Sequence, residues 1–334
     1  MEKVTLTSEQ MARYKAIVDE TENLRSLSDA EKEQLIRNIM EKPFLDLLCD
    51  VAFKYVFTQD KESLKMLLND LLDEKIVDVS TEPNELVSPV VEDKKPVMDI
   101  IARTIDGRRI IIEMQQERRK AFFPRLYYYG ARLLSSQLKK GGHYKDLVPV
   151  IVICFTNFTM KHKRCRKDQL VYEYQHRESV GGDIFTNLHT TYICELPRLA
   201  SKTMQDMNPV ESWFFILKNC RNFATKPEGM DPRFNHVMEM AESTSVPDKE
   251  RTQYLRAMIS DYDKHDIGEA YYEEGFEKGM EKGMEKGMEK GLKQKSLDVA
   301  KAMLADGMTN EVVAKYTGLP ESEIASLAQS GLAG

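Results

Sequence analysis

Apolar residues return at helical spacing between Phe44 and Tyr55, where Phe44, Leu47, Leu48, Val51, Phe53 and Tyr55 predict a buried helix opened by Pro43. A second helix is predicted over "KESLKMLLNDLL" (61–72). Residues 1–42 are polar and helix-prone, with Ser28 followed three residues later by Glu31, the signature of a capping box. From residue 75 the texture changes to β-branched and aromatic runs: "KIVDVS", "PVMDIIARTI", "GRRIIIEMQ", "LVPVIVICFT", "LVYEYQH" and "LHTTYICEL". Between the third and fourth lies "ERRKAFFPRLYYYGARLLSSQLKKGG" (117–142), predicted as one long helix with Pro124 near its start and Gly141 and Gly142 closing it. A helix in that position allows a right-handed parallel crossover, so the expected core is a mixed α/β sheet. After about residue 205 the pattern is helical again, beginning with "NPVESWFFILKN".

The length of 334 residues suits one large or two modest domains. The division expected is an N-terminal helical segment (1–42), an α/β domain (43–225) and a helical tail (226–334). No run of 18 apolar residues and no charged-then-apolar leader occur, so a cytoplasmic chain without a membrane span is expected. The cysteines at 49, 154, 165, 194 and 220 are scattered and form no CxxC pair, which points to reduced thiols and away from zinc. The histidines show no HxH or HExxH spacing. A net charge of −6 does not advertise nucleic-acid binding, although binding depends on local basic patches rather than the total.

The third strand carries the chemistry. In "RRIIIEMQQERR" (108–119) three isoleucines run directly into Glu113 and Gln115, which alternation places on one face. Either the strand simply surfaces there or its tip holds a metal. The register of the hairpin "VMDIIARTIDGRRIIIEMQ" decides whether the second is possible. A two-residue Asp106-Gly107 turn sets Asp99 opposite Met114, on the wrong face. A three-residue loop with a left-handed Gly107 sets Asp99 opposite Glu113. Asp99, Glu113 and Gln115 then share a face, and magnesium suits such oxygens, taking one or two carboxylates and leaving the rest to water and substrate phosphate. Asp50 and Lys54 stand one helical turn apart, either as an exposed ion pair or as part of the same site.

In order along the chain, "DVAFKYVF" (50–57), "LLNDLL" (67–72), "DIIARTIDGRRIIIEMQ" (99–115), "RLYYYGARLLSSQLKKGGHYKDLVPVIVICF" (125–155) and "WFFIL" (213–217) resemble the recombination-promoting nuclease (Rpn) and transposase family of the PD-(D/E)xK nuclease superfamily. The resemblance covers roughly residues 43–220. It implies a restriction-endonuclease-like mixed sheet flanked by helices, with a helical C-terminal region. It also implies a DNA endonuclease dependent on Mg²⁺ or Mn²⁺ that promotes recombination or transposition. Asp99 and Glu113 become the metal ligands, with the Ile112 or Met114 carbonyl as a third oxygen. Gln115 stands where the superfamily usually carries a lysine; an amide orients water but cannot take its proton. The family is known to carry Gln there, and activation of the water then falls to the ion, unless Lys54 or Lys120 enters the site. The resemblance further places the helix of Asp50 and Lys54 over the strand tips, with Asp50 near the ion or Lys54 on phosphate.

Two basic stretches interrupt the acidic chain, "ERRKAFFPR" (117–125) and "KHKRCRK" (161–167). Arg118, Arg119 and Arg125 are expected on phosphates, making binding strongly salt-dependent. Lys161, Lys163 and Arg164 serve either there or as a solubilising loop. The tyrosines 127–129 could stack on bases, but three consecutive helical positions cannot all face one groove, so at least one is structural and core packing is expected for two. "FEKGMEKGMEKGMEKGL" (residues 276–292) repeats every four residues and stacks Met and Gly into stripes, and its glycines cost about 1 kcal/mol each in a helix. It is either a tether or a helix awaiting a partner. The resemblance favours a homodimer or higher homo-oligomer through this tail. Residues 296–330 look like a small helix-turn-helix, with two lysines against five carboxylates from residue 296 to the end, a balance that suits protein packing better than DNA. The leading expectation is a DNA endonuclease. Against it stand a catalytically weak DNA-binding or oligomerising module of the same fold and an RNA-directed nuclease.

Overall fold

The computed structural model describes residues 4–84, 97–118, 120–138, 141–161, 166 and 168–331. Contacts divide the chain into two compact units, Met1–Asp263 and Lys264–Gly334. The first therefore runs past residue 225, taking in the helices up to Asp263.

Two helices open it, α1 (Ser8–Glu20) and α2 (Asp29–Met40), and Ser28 and Glu31 form the expected capping box on α2. Next come α3 (Asp50–Gln59) and α4 (Lys61–Leu72). The strands are β1 (Val79–Glu82), β2 (Ile100–Thr104) and β3 (Arg109–Gln115), then helix α5 (Phe122–Ser135), then β4 (Val150–Thr156), β5 (Val171–Arg177) and β6 (Ile184–Glu195). Helices α6 (Pro209–Asn219) and α7 (Asn235–Ala241) follow, and α8 starts at Asp248 and runs to Ala305. The six strands form one sheet in the order β1-β2-β3-β4-β6-β5. β3 pairs with β4, and β4 with β6, in parallel; the remaining neighbours are antiparallel. This is the mixed sheet the pattern predicts, with α5 connecting the parallel pair β3 and β4.

Strand alternation splits the apolar residues between two layers. Ile110, Ile112, Met114, Ile153 and Phe155 pack with Phe53, Phe57, Leu64, Leu67, Trp213 and Phe214 from α3, α4 and α6. Ile111, Val150, Val152 and Cys154 face the other way, onto Phe122, Leu126 and Leu133 of α5. A third cluster joins Tyr14, Val18 and Ile36 to Tyr254, Leu255 and Ile259 at the start of α8, which is what carries this unit past residue 225.

Three expectations shift. The helix opened by Pro43 is absent, and α3 begins at Asp50. Residues 44–49 instead feed two cores at once: Phe44 and Leu47 enter one cluster, Leu45 and Cys49 the other. Their backbone is held by bonds such as Leu45 N–H to the Ala241 carbonyl at 2.9 Å. α5 stops at Ser135, short of Gly141, because the Gln137 amide both donates to and accepts from the backbone of Val148, at 3.0 and 2.9 Å. Among the three tyrosines, Tyr127 and Tyr128 are exposed and only Tyr129 packs against the core, since the buried stripe of α5 runs through Phe122, Leu126, Gly130 and Leu133.

The second unit holds the last part of α8, α9 (Asn310–Thr317) and α10 (Glu321–Gly331) around Ala300, Val313, Leu319 and Ile324. The chain turns where expected, at Gly307 and at Gly318, both with positive φ (80° and 68°). The repeat is helical, and Met280, Met284, Met288 and Leu292 stand exposed along it.

Candidate active site

The hairpin takes the register that brings the carboxylates together. Ile100 pairs with Ile112 and Arg103 with Arg109, so the next rung is Asp99 opposite Glu113. The three-residue loop 105–107 sets this register, closed by Thr104 N–H to the Arg108 carbonyl at 3.0 Å and made possible by Gly107 at φ +90°.

Each of the two acidic side chains locks onto the backbone of the opposite strand. Glu113 Oε1 accepts from the Asp99 N–H at 3.1 Å, and Asp99 Oδ2 accepts from the Met114 N–H at 2.7 Å. Among the described residues no partner engages Asp99 Oδ1 or Glu113 Oε2. Each carboxylate is thus fixed by one oxygen and leaves the other available. Glu113 is only 3% exposed, and β4 sets the buried Cys154 beside it. Burial pushes both carboxyls above the usual carboxylate range, and for Glu113 the charge of Asp99 adds to the rise.

Helix α3 delivers two further residues. Asp50 sits at its first turn and accepts from the Val51 N–H at 2.8 Å, and its negative charge raises the Asp99 carboxyl further, while Lys54 acts in the opposite direction. Asp50, Lys54 and Asp99 line a cleft of about 370 Å³ together with Asn84, Met98, Glu250 and Gln253. Asn84 and Met98 exchange hydrogen bonds at 2.9 and 3.0 Å, which anchors the chain entering β2.

Gln115 lies two residues beyond Glu113 on the same face. Its Nε2 donates to the Met114 carbonyl at 2.8 Å, and its Oε1 accepts from Arg125 of α5. Of the two carbonyls expected as a third ligand, Ile112 or Met114, that of Met114 is therefore engaged by an amide. Arg118 and Lys161 are exposed, on loops leaving β3 and β4, whose ends lie side by side at Gln115 and Thr156. The expectations for Arg119, Lys163 and Arg164 fall outside the described residues. Lys120 is exposed.

The structure thus gathers Asp99, Glu113, Gln115, Asp50, Lys54 and Arg125 at one end of the sheet. Sequence reasoning missed three supports. Cys154 flanks Glu113; Gln116 ties the loop after β3 to the Leu48 carbonyl (3.0 Å) and to Asp261 (3.2 Å); and Arg125 engages Gln115. Only the last had a signal, an arginine among the aromatic residues of the helix after the motif.

Among the described residues, no three His, Cys, Asp or Glu side chains converge to hold an ion by themselves. Two carboxylates with one free oxygen each, burdened by mutual repulsion in a buried site, nevertheless suit magnesium, which keeps most of its shell as water and substrate phosphate. No helix among the described residues is long and apolar enough to cross a membrane.

Residues 47–269 match the family described as PD-(D/E)XK nuclease family transposase. Residues 293–329 match the C-terminal helix-turn-helix domain of the Rpn/YhgA-like nuclease family. No curated protein and no solved structure matches the chain.

Proposed function

Because the chain belongs to the PD-(D/E)XK nuclease family of transposases, we propose that it is a divalent-metal-dependent DNA endonuclease whose breaks promote recombination or transposition. The observation that carries this reading is the interlocked pair Asp99 and Glu113, each with one oxygen pinned to the opposite strand and one left for a cation. Asp99 and Glu113 would hold Mg²⁺ or Mn²⁺. Such an ion lowers the pKa of its water and offsets charge developing on the phosphate. The chain supplies the rest. The strand backbone fixes both carboxylates before substrate arrives, so the site needs no reorganisation. Lys54 lies in the cleft beside Asp99 to meet a phosphate, and Asp50 stands close enough to join the ion's surroundings. Arg118 and Lys161 project from adjacent loops toward flanking phosphates, with Arg119, Lys163 and Arg164 in the same segments of sequence.

The C-terminal unit takes a different role. α10 carries Glu321 and Glu323 and no basic residue, which favours protein packing over groove binding. The exposed methionine stripe before it suits a second copy of the chain, giving a homo-oligomer.

Supercoiled plasmid and a matched RNA, each offered with Mg²⁺ and with EDTA, test the reading. Nicking of DNA in Mg²⁺ alone is the expected result. Inertness toward DNA with every divalent ion tried would shift the assignment to a binding module of the same fold, and preference for RNA would shift it to an RNA-directed nuclease.

A further inference from the structure

We propose that Arg125 supplies the positive charge at the scissile phosphate that the superfamily's lysine supplies elsewhere, and that Gln115 is the positioning residue that holds it there. The inference rests on the endonuclease reading above. At position 115 a neutral amide stands where a charged amine is usual, so β3 brings no cation to its own end beside Asp99 and Glu113, its Arg109 lying at the opposite end of the strand. α5 brings one from the side. The Arg125 guanidinium donates through Nη2 to Gln115 Oε1, and the ring of Tyr129, one turn further along α5, lies 6.0 Å from its central carbon. The Gln115 amide is in turn fixed by its bond to the Met114 carbonyl, so backbone, amide and guanidinium form one chain.

Two features separate this arrangement from a structural ion pair. Among the described residues, Arg125 makes no ion pair within 4.0 Å, although its charge reaches both Asp99 and Glu113. Its Nε–H is buried and, among the described residues, has no hydrogen-bond partner. A half-buried guanidinium whose buried Nε–H is left unsatisfied is costly, and the group that suits its fork is an anion with two oxygens side by side. A phosphodiester drawn to the neighbouring carboxylate site presents such a pair. The neutral Gln115 matters because a carboxylate in its place would spend that charge before the substrate arrived.

The test compares steady-state cleavage by wild type, R125Q, R125K, Q115K and the double variant Q115K/R125Q, each first shown to be folded by circular dichroism. R125Q is expected to lower kcat about 100-fold, the usual cost of removing one transition-state donor, with KM changed less than about threefold, as for an interaction made mainly in the transition state. R125K recovers part of the loss, since the charge stays and the fork is gone. The double variant is expected to exceed R125Q by about tenfold or more, because a lysine at 115 restores charge on the same face; a merely structural Arg125 predicts no such rescue. A readout without turnover is the affinity for duplex DNA in Ca²⁺ as salt is varied, where R125Q should reduce the slope by about one. Wild-type kcat in R125Q, or a double variant no faster than R125Q, overturns the inference while leaving the endonuclease reading intact. Should R125Q fail to fold, R125K carries the test, and an undiminished kcat there overturns it. Should wild type itself not cleave, the endonuclease reading fails, and an unchanged salt slope then overturns the role of Arg125 as well.

Discussion

Glu113→Gln is expected to reduce cleavage by about 10³-fold or more while raising the melting temperature of the metal-free protein. The loss follows from removing one of the two carboxylates proposed to hold the ion, and with it the Lewis acid that the neutral Gln115 could not replace. The gain follows from what the wild-type site costs the fold. Glu113 is 3% exposed and faces Asp99 across the hairpin, so two negative charges share a buried space with no counter-ion within pairing distance among the described residues. A glutamine keeps the acceptor that receives the Asp99 N–H and removes the charge. Relief of a raised buried carboxyl is worth on the order of 2 kcal/mol, since each unit of pKa displacement corresponds to about 1.4 kcal/mol. For a unit of this size that amounts to a rise of about 4 °C or more. Differential scanning calorimetry at pH 8 in EDTA, beside the plasmid assay, reads both halves. A variant that is inactive and also destabilised would point to a structural role for Glu113.

The second large effect couples pH to metal. Both Asp99 and Glu113 have folded-state pKa values raised above those of an unfolded chain, which lie near 4. Stability from the protonated carboxyls is therefore fully present below about pH 4 and is lost as pH rises through the raised folded-state values. The metal-free wild type should fall behind Glu113→Gln progressively between about pH 5 and pH 8, and the two should converge in acid. Mg²⁺ is expected to reverse the trend, because the site proposed for it is the ionised pair: its stabilisation should be small at pH 5.5 and several degrees at pH 8. Thermal melts with and without 10 mM Mg²⁺ across about this range give the answer. A Mg²⁺ shift independent of pH, or retained in full by Glu113→Gln, would place the ion elsewhere.

Much of this site is legible in the sequence because local rules determine it. Alternation sets Glu113 and Gln115 on one face, and Gly107 admits the three-residue loop that brings Asp99 opposite Glu113. The helical spacing of Asp50 and Lys54 puts both on one side of α3. What the sequence leaves open is decided by distant contacts. The apolar residues 44–49 read as helix because their spacing is helical, yet they are shared between two cores. The end of α5 is set by Gln137 grasping Val148, a pairing that periodicity does not reveal. The partnership of Gln115 with Arg125 depends on how α5 lies across the sheet, and the placement of Cys154 beside Glu113 depends on the register of a parallel pair. The sequence is expected to divide at residue 225, whereas Tyr254, Leu255 and Ile259 bury themselves against α1 and α2.

Asp99 and Glu113 are proposed to hold a divalent ion at the end of the hairpin. An anomalous difference map from crystals grown with Mn²⁺ tests this assignment most directly. A peak is expected about 2.1 Å from an oxygen of each carboxylate, absent in Glu113→Gln. A protein saturated with Mn²⁺ whose peak lies elsewhere, or that shows none, would contradict it.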